Sequence, residues 1–165
     1  MLNKKGYSMI EVIICLAMLA ILSVSAFSLS SHIKYANTKK CVKELNQTLE
    51  KARMTSMSKA GDWKLYLYRQ ADGFYYELTN LSTLDKSQGK KLGGTSIQVF
   101  YKKKGDPSES QLGATGVMKI CFSKSTGAYL VKDGSEIYES IRIANDSSKG
   151  YTIKLVEKTG KHMLQ

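Results

Sequence analysis

The sequence predicts an α+β protein: one long N-terminal α-helix, its first half transmembrane, packed on an antiparallel β-sheet headpiece. Three observations predict it. No glycine falls between Gly6 and Gly61, and the one proline is Pro107, so nothing in that interval must break a helix. Residues 12–29 carry no charge, about the shortest apolar run that takes a helix across the hydrocarbon core. Beyond Gly61, short β-rich runs alternate with turn signals roughly every 8 to 12 residues, and no βαβ alternation appears.

The helix is expected from about residue 8 to residue 59, on the order of 78 Å at 1.5 Å per residue, with Gly61 as its stop. In its second half Thr38, Cys41, Val42, Leu45, Leu49 and Ala52 recur at spacings of three and four. Lys39, Lys40, Lys43, Glu44, Glu50 and Lys51 fall largely on the other faces, which is an amphipathic pattern. Strands are expected over 64–69 and 74–79, joined by Gln70-Ala71-Asp72-Gly73, whose Asp-Gly pair signals a hairpin. Further strands are expected over 96–101, 117–123, 128–132, 140–144, 151–156 and 161–164. Turn-rich stretches at 87–95, 102–116, 133–134 and 145–150 separate them.

The N-terminus is a targeting element in purely physical terms. Lys4 and Lys5 precede the apolar run with no acid to balance them, which keeps the N-terminus cytoplasmic and sends the rest across. Glu11 stands just inside the run, where a carboxylate is expensive and calls for a functional explanation. A conventional signal peptide cut after Ala26, at Val24-Ser25-Ala26, would leave a soluble exported binding protein. That reading gives Glu11 no purpose.

Lys4-Lys5-Gly6-Tyr7-Ser8-Met9-Ile10-Glu11, followed directly by the apolar helix, resembles the leader and mature start of type IV prepilins and type II secretion pseudopilins. The resemblance implies three segments: a leader at 1–6, a transmembrane and assembly helix at 7–29, and a pilin-like headpiece at 30–165. It implies cleavage by a membrane peptidase between Gly6 and Tyr7, followed by N-methylation of Tyr7. Glu11 becomes the fifth mature residue and pairs with the Tyr7 amine of an adjacent subunit, setting axial register. A buried pair of that kind is a specificity device more than a source of net stability.

The partners implied are other pilins or pseudopilins, the prepilin peptidase, an inner-membrane assembly platform and an assembly ATPase. The protein would be a single-pass membrane protein with its headpiece outside, and later part of a periplasmic or extracellular filament. Lys51-Ala52-Arg53-Met54, Ile120-Cys121-Phe122 with Thr126-Gly127, and Thr159-Gly160-Lys161 are similar to minor pilins of the GspH/FimT-like group. The absence of a helix-kinking proline also points away from a major pilin. Roles in a pilus, a secretion pseudopilus and a DNA-uptake pilus all stay open.

The remaining chemistry is sparse. The net charge of +11 suits anionic partners, and Lys102, Lys103 and Lys104 form the densest basic run, a candidate patch for such a partner, nucleic acid included. Set against that is a plain solvated loop. Tyr66, Tyr68, Tyr75 and Tyr76 read either as an adhesive face or as cross-strand pairs. Cys41 and Cys121 read as buried thiols or as a disulfide, and Cys15 lies in the apolar run. The two histidines, His32 and His162, stand far apart in sequence. The carboxylates Asp72 and Glu77, or Asp133 and Glu136, sit at turns. With no metal-ligand spacing, nucleophile motif or phosphate loop, the expectation is a protein that is not an enzyme and has no cofactor or metal.

Overall fold

The structure, a computed structural model, describes residues 8–145 and 150–165, apart from the side chains of residues 22 and 24–31. The expected leader and Tyr7 lie outside the described residues, as do residues 146–149 of the last expected turn. The chain divides into two compact units, Met1–Tyr35 and Ala36–Gln165. One helix, α1 (Met9–Ser58), begins in the first and ends in the second, close to the bounds its pattern predicts.

In the second unit the predicted helix face is the buried one. Thr38, Cys41, Val42, Leu45, Leu49 and Ala52 are each 1% exposed or less. Strands follow as β1 (Lys64–Gln70), β2 (Gly73–Thr79), β3 (Lys90–Gly93), β4 (Gln98–Lys103), β5 (Ser110–Gln111), β6 (Val117–Phe122), β7 (Tyr129–Leu130), β8 (Tyr138–Ala144), β9 (Gly150–Val156) and β10 (Lys161–Leu164). They form two antiparallel sheets where one was expected. The first has the order β3-β2-β1-β6-β7, the second β10-β9-β8-β4-β5. The chain changes sheet after β3, returns with β6 to pair β1, and leaves again with β8 to pair β4.

Both inner faces and the helix share one core. Leu65, Leu67, Phe74, Met118 and Ile120 come from the first sheet, and Val99, Ile141, Ile143 and Ile153 from the second. Alternation along each strand puts these residues on one side of the pleat. The hairpin at Asp72-Gly73 forms in the expected place, with Gln70 opposite Gly73.

The strand expected at 96–101 starts later, at Gln98, because Ile97 closes a turn by donating to the Gly94 carbonyl at 3.2 Å. The strand expected at 128–132 stops at Leu130. There Lys132 N–H donates to the Ser135 hydroxyl at 2.8 Å and turns the chain. β3 and β5 occupy stretches read as turns; both are short sheet edges, and Lys90 and Lys91 on β3 are exposed.

A buried cation ties the first sheet to the loop after β7. The Lys64 side chain is 6% exposed, and its ammonium lies 2.9 Å from the Asp133 carboxylate. Asp133 holds a left-handed φ of 52°, followed by Gly134 at 77°. That pairing holds Asp133 below the ordinary carboxylate range. Hydrogen bonds act the same way on Asp62 (from Lys132), Asp72 (from Tyr75, then Lys91) and Asp85 (from Ser87). Glu77 is raised instead, chiefly by burial, although its carboxylate accepts from Asp85 N–H at 2.9 Å.

Two turns meet behind the helix end. Gly127 (φ 68°) and Gly160 (φ 63°) press together so closely that a Cβ on Gly160 would fall 1.7 Å from the Gly127 carbonyl oxygen. That same carbonyl accepts from Arg53 Nε at 3.3 Å. Only glycine tolerates both the left-handed φ and this approach.

Gly160→Ala should therefore lower stability by about 2 kcal/mol or more, from combined strain and overpacking. Gly134→Ala, whose Cβ meets nothing within 4 Å, should cost only about 1 kcal/mol for its positive φ. Thermal denaturation of the two variants checks the contrast, and equal losses would remove the close approach as its cause. For pH the signs oppose. The four depressed aspartates stabilise above the usual carboxylate range, and that stability is lost as pH falls toward their folded values. Glu77 disfavours folding when charged, so protonating it relieves a cost. The denaturation midpoint should hold or rise slightly from about pH 6 to 5, then fall below about pH 4. A midpoint falling steadily from pH 6 would contradict this.

Candidate functional site

Ser8 opens α1: its carbonyl accepts from Glu11 N–H at 3.0 Å and from Val12 N–H at 3.3 Å. Glu11 thus lies in the first turn, exposed, where unpaired backbone N–H groups and the helix dipole favour a carboxylate. Gly6 and Tyr7, the expected cleavage and methylation positions, lie outside the described residues.

Around Glu11, over residues 9–21, the helix is otherwise apolar on every side. Met9, Ile10, Val12, Ile13, Ile14, Leu16, Met18, Leu19 and Ile21 are 46% to 85% exposed within the chain. A helix with no polar face belongs in lipid or among other helices. Ser23 fits such surroundings, since its hydroxyl donates to the Leu19 carbonyl at 2.7 Å. Among the described residues, no helix is long and apolar enough to cross a membrane. The described apolar stretch, residues 9–21, is shorter than the roughly 20 residues that crossing requires. Across the rest of the expected span, residues 22–29, Ser23 is the one residue whose side chain is described.

In the second unit the structure finds a partner for most of the singled-out side chains. Lys102 and Lys103 lie on β4 rather than in a loop. Lys102 pairs with Glu139 at 3.3 Å, Lys103 with Glu136 at 2.8 Å and Lys104 with Glu157 at 2.6 Å. The charge of this run is therefore offset locally. Tyr68 and Tyr75 are opposite one another and stack at 6.1 Å, while Tyr76 packs on the core opposite Leu67. Tyr66 and Tyr68 are buried, so the four tyrosines present no common surface.

Asp72 meets Lys91 and Glu77 meets a backbone N–H; Asp133 meets Lys64 and Glu136 meets Lys103. Each carboxylate has its own partner, and none pairs with another. All three cysteines are free. Burial pushes the Cys41 thiol up to about 12 and raises Cys121 as well, so both stay protonated at neutral pH. Among the described residues no group of His, Cys, Asp and Glu could hold a metal ion.

Arg53, Gly127 and Gly160 form the contact behind the helix end. Arg53 also reaches Glu50 at 3.4 Å, and Glu50 lies 3.9 Å from His162. Sequence reasoning missed a cavity beside Trp63, lined in part by the buried Ser56. Ser56 and Lys64 read as ordinary polar positions, so no pattern announced it.

No curated protein and no solved structure matches the chain. Residues 1–27, the segment that holds Gly6, Tyr7 and Glu11, match the family model of the prokaryotic N-terminal methylation motif, and the match supports a type IV pilin-like precursor.

Proposed function

We propose that this chain is a minor pilin or pseudopilin, a structural subunit made as a precursor and assembled into a type IV pilus or type II secretion-like filament. A helical stretch, residues 9–21, that is apolar on all sides with Glu11 as its one charge, inside a segment matching the methylation motif, carries this reading. In it, the prepilin peptidase cuts between Gly6 and Tyr7 and the new Tyr7 amine is methylated. Residues 7–29 hold the subunit in the membrane until it is drawn into the filament.

The physical role of Glu11 follows from charge. Packed among apolar helices, a carboxylate needs a cation, since an unpaired charge there is costly. The N-terminal ammonium of a neighbouring Tyr7 supplies one at a single axial offset. Any other offset leaves Glu11 unanswered, so the pair selects register. In this reading the partners are other pilins, the peptidase, an inner-membrane platform and its ATPase. The competence variant of this reading gains nothing from Lys102–104, whose charges already face carboxylates.

Intact mass of the mature protein tests the processing step. Loss of residues 1–6 with gain of one methyl group is expected; loss through Ala26 would replace this reading with a conventionally exported soluble protein. Glu11→Ala should leave insertion and cleavage intact while reducing incorporation into sheared filaments by tenfold or more, about 1.4 kcal/mol or above per subunit. Normal incorporation of that variant would show that Glu11 does not set register.

A further inference from the structure

Along the flank of α1 beside β3 runs a groove about 30 Å long, from Lys40 to Lys59 at 1.5 Å per residue. It lies within the second unit. Three clefts of about 300 to 370 Å³ make it up, and they share walls. Lys51, Tyr76 and Lys90 line the first and second; Glu44, Lys91 and Leu92 line the second and third. On the helix side Lys40, Glu44, Thr48, Lys51, Thr55 and Lys59 follow at spacings of three and four, one stripe of the helix surface.

The cations of this stripe are not answered inside the chain. Lys51 and Lys90 meet no carboxylate among the described residues, and Lys59 has only the Trp63 ring, 5.4 Å away. Lys102, Lys103 and Lys104, by contrast, are each paired. The carboxylates along the groove are engaged elsewhere. Glu77 is buried and accepts from Asp85 N–H at 2.9 Å, Asp85 accepts from Ser87 N–H at 3.0 Å, and Glu44 stands 3.9 Å from Lys40.

Two hydroxyls in the stripe are also unmet. Thr48 is 6% exposed and Thr55 9%, and neither side chain has a hydrogen-bond partner among the described residues. Ser58, one turn on, instead donates to the Met54 carbonyl at 2.8 Å. Thr48 and Thr55 both line the groove, where a buried hydroxyl gains from a bound polar group.

The charge pattern selects the occupant. Glu44 and Asp85 interrupt the lysines, so a continuous chain of phosphates would meet like charge at both. A polypeptide can set carboxylates against the lysines and uncharged residues at the interruptions. A second copy of this chain has little to offer. Among the described side-chain carboxylates of the second unit, only Glu77, Asp85 and Asp106 lack a paired cation, and the first two belong to the groove itself. Copies carrying a net charge of +11 also repel one another.

We propose that this groove binds an acidic segment of a different polypeptide, one whose carboxylates are set apart by uncharged residues. The carboxylates meet Lys51, Lys59 and Lys90, and the Thr48 and Thr55 hydroxyls bond to its polar groups. The inference goes beyond the filament reading and stands without it, because it uses only the second unit.

Fluorescence anisotropy tests it with the full-length protein in detergent. The probe is a labelled peptide of about ten residues, long enough when extended to span the groove, with glutamate at every third position. Saturable binding with half-saturation below about 1 mM is expected at about 50 mM salt, and it should vanish when glutamine replaces each glutamate. Trp63, the chain's one tryptophan, lines one end of the groove, so its emission should change over the same concentrations. Lys51→Glu and Lys90→Glu should each weaken binding about threefold or more, and together about tenfold. Lys158→Glu, the same charge change in the turn between β9 and β10, should leave it within about twofold. All three lysines are exposed, so the melting temperatures should hold.

No saturable binding, equal binding of the glutamine peptide, or equal weakening by Lys158→Glu would overturn the proposal. So would tighter binding of an oligodeoxythymidine of the same charge, weakened by the Lys51 and Lys90 substitutions, which would assign the groove to a phosphate chain instead.

Discussion

Six side chains on one face of α1, from Thr38 to Ala52, hold the second unit together. Each sheet has an apolar inner face with no sheet-forming reason to meet the other. The helix supplies the surface that both inner faces can bury against, and burial of apolar area is the main favourable term available to so small a domain. The rest follows from that packing. Strands that leave one sheet for the other are tolerated because every inner residue still reaches one core.

The same packing decides where charge is allowed. Lys64 and Glu77 are exceptions inside: Glu77 accepts from Asp85 N–H, and Lys64 is held by Asp133 on a loop whose left-handed backbone brings the carboxylate round. Removing either partner would leave the other poorly answered, so the pair ties the Asp133-Gly134 turn to β1. Outside, lysines meet carboxylates across strands and loops, as at Lys103 and Glu136. The formal charge of +11 thus overstates how basic any one patch is.

Much of this was legible in the residues. The spacing of Thr38, Cys41, Val42, Leu45, Leu49 and Ala52 named the buried helix face because a 3.6-residue period has few other meanings. Asp72-Gly73 named the first hairpin. The division into two sheets was not legible, because it rests on β6 returning to β1 and β8 to β4, pairings that no local pattern encodes. β3 and β5 were missed because short polar edges lack the alternation that marks a half-buried strand. Lys64 was missed as a buried group because a lysine opening a strand reads as surface. Within the candidate site Glu11 was conspicuous because a carboxylate in an apolar run is costly. Ser56 was silent, since a serine near a helix end is ordinary until its surroundings are known.

The sheet edges have a consequence for how the molecule meets copies of itself. β5 and β7 are two residues long, and β3 offers the exposed Lys90 and Lys91 where another strand would have to dock. β10, the remaining edge, begins with Lys161. Short or lysine-bearing edges resist the strand-to-strand addition that leads to amyloid-like growth. For a subunit that polymerises through its helix, as proposed, this closes off the competing mode of self-association. Copies crowded at high local concentration would then have only the ordered way to join.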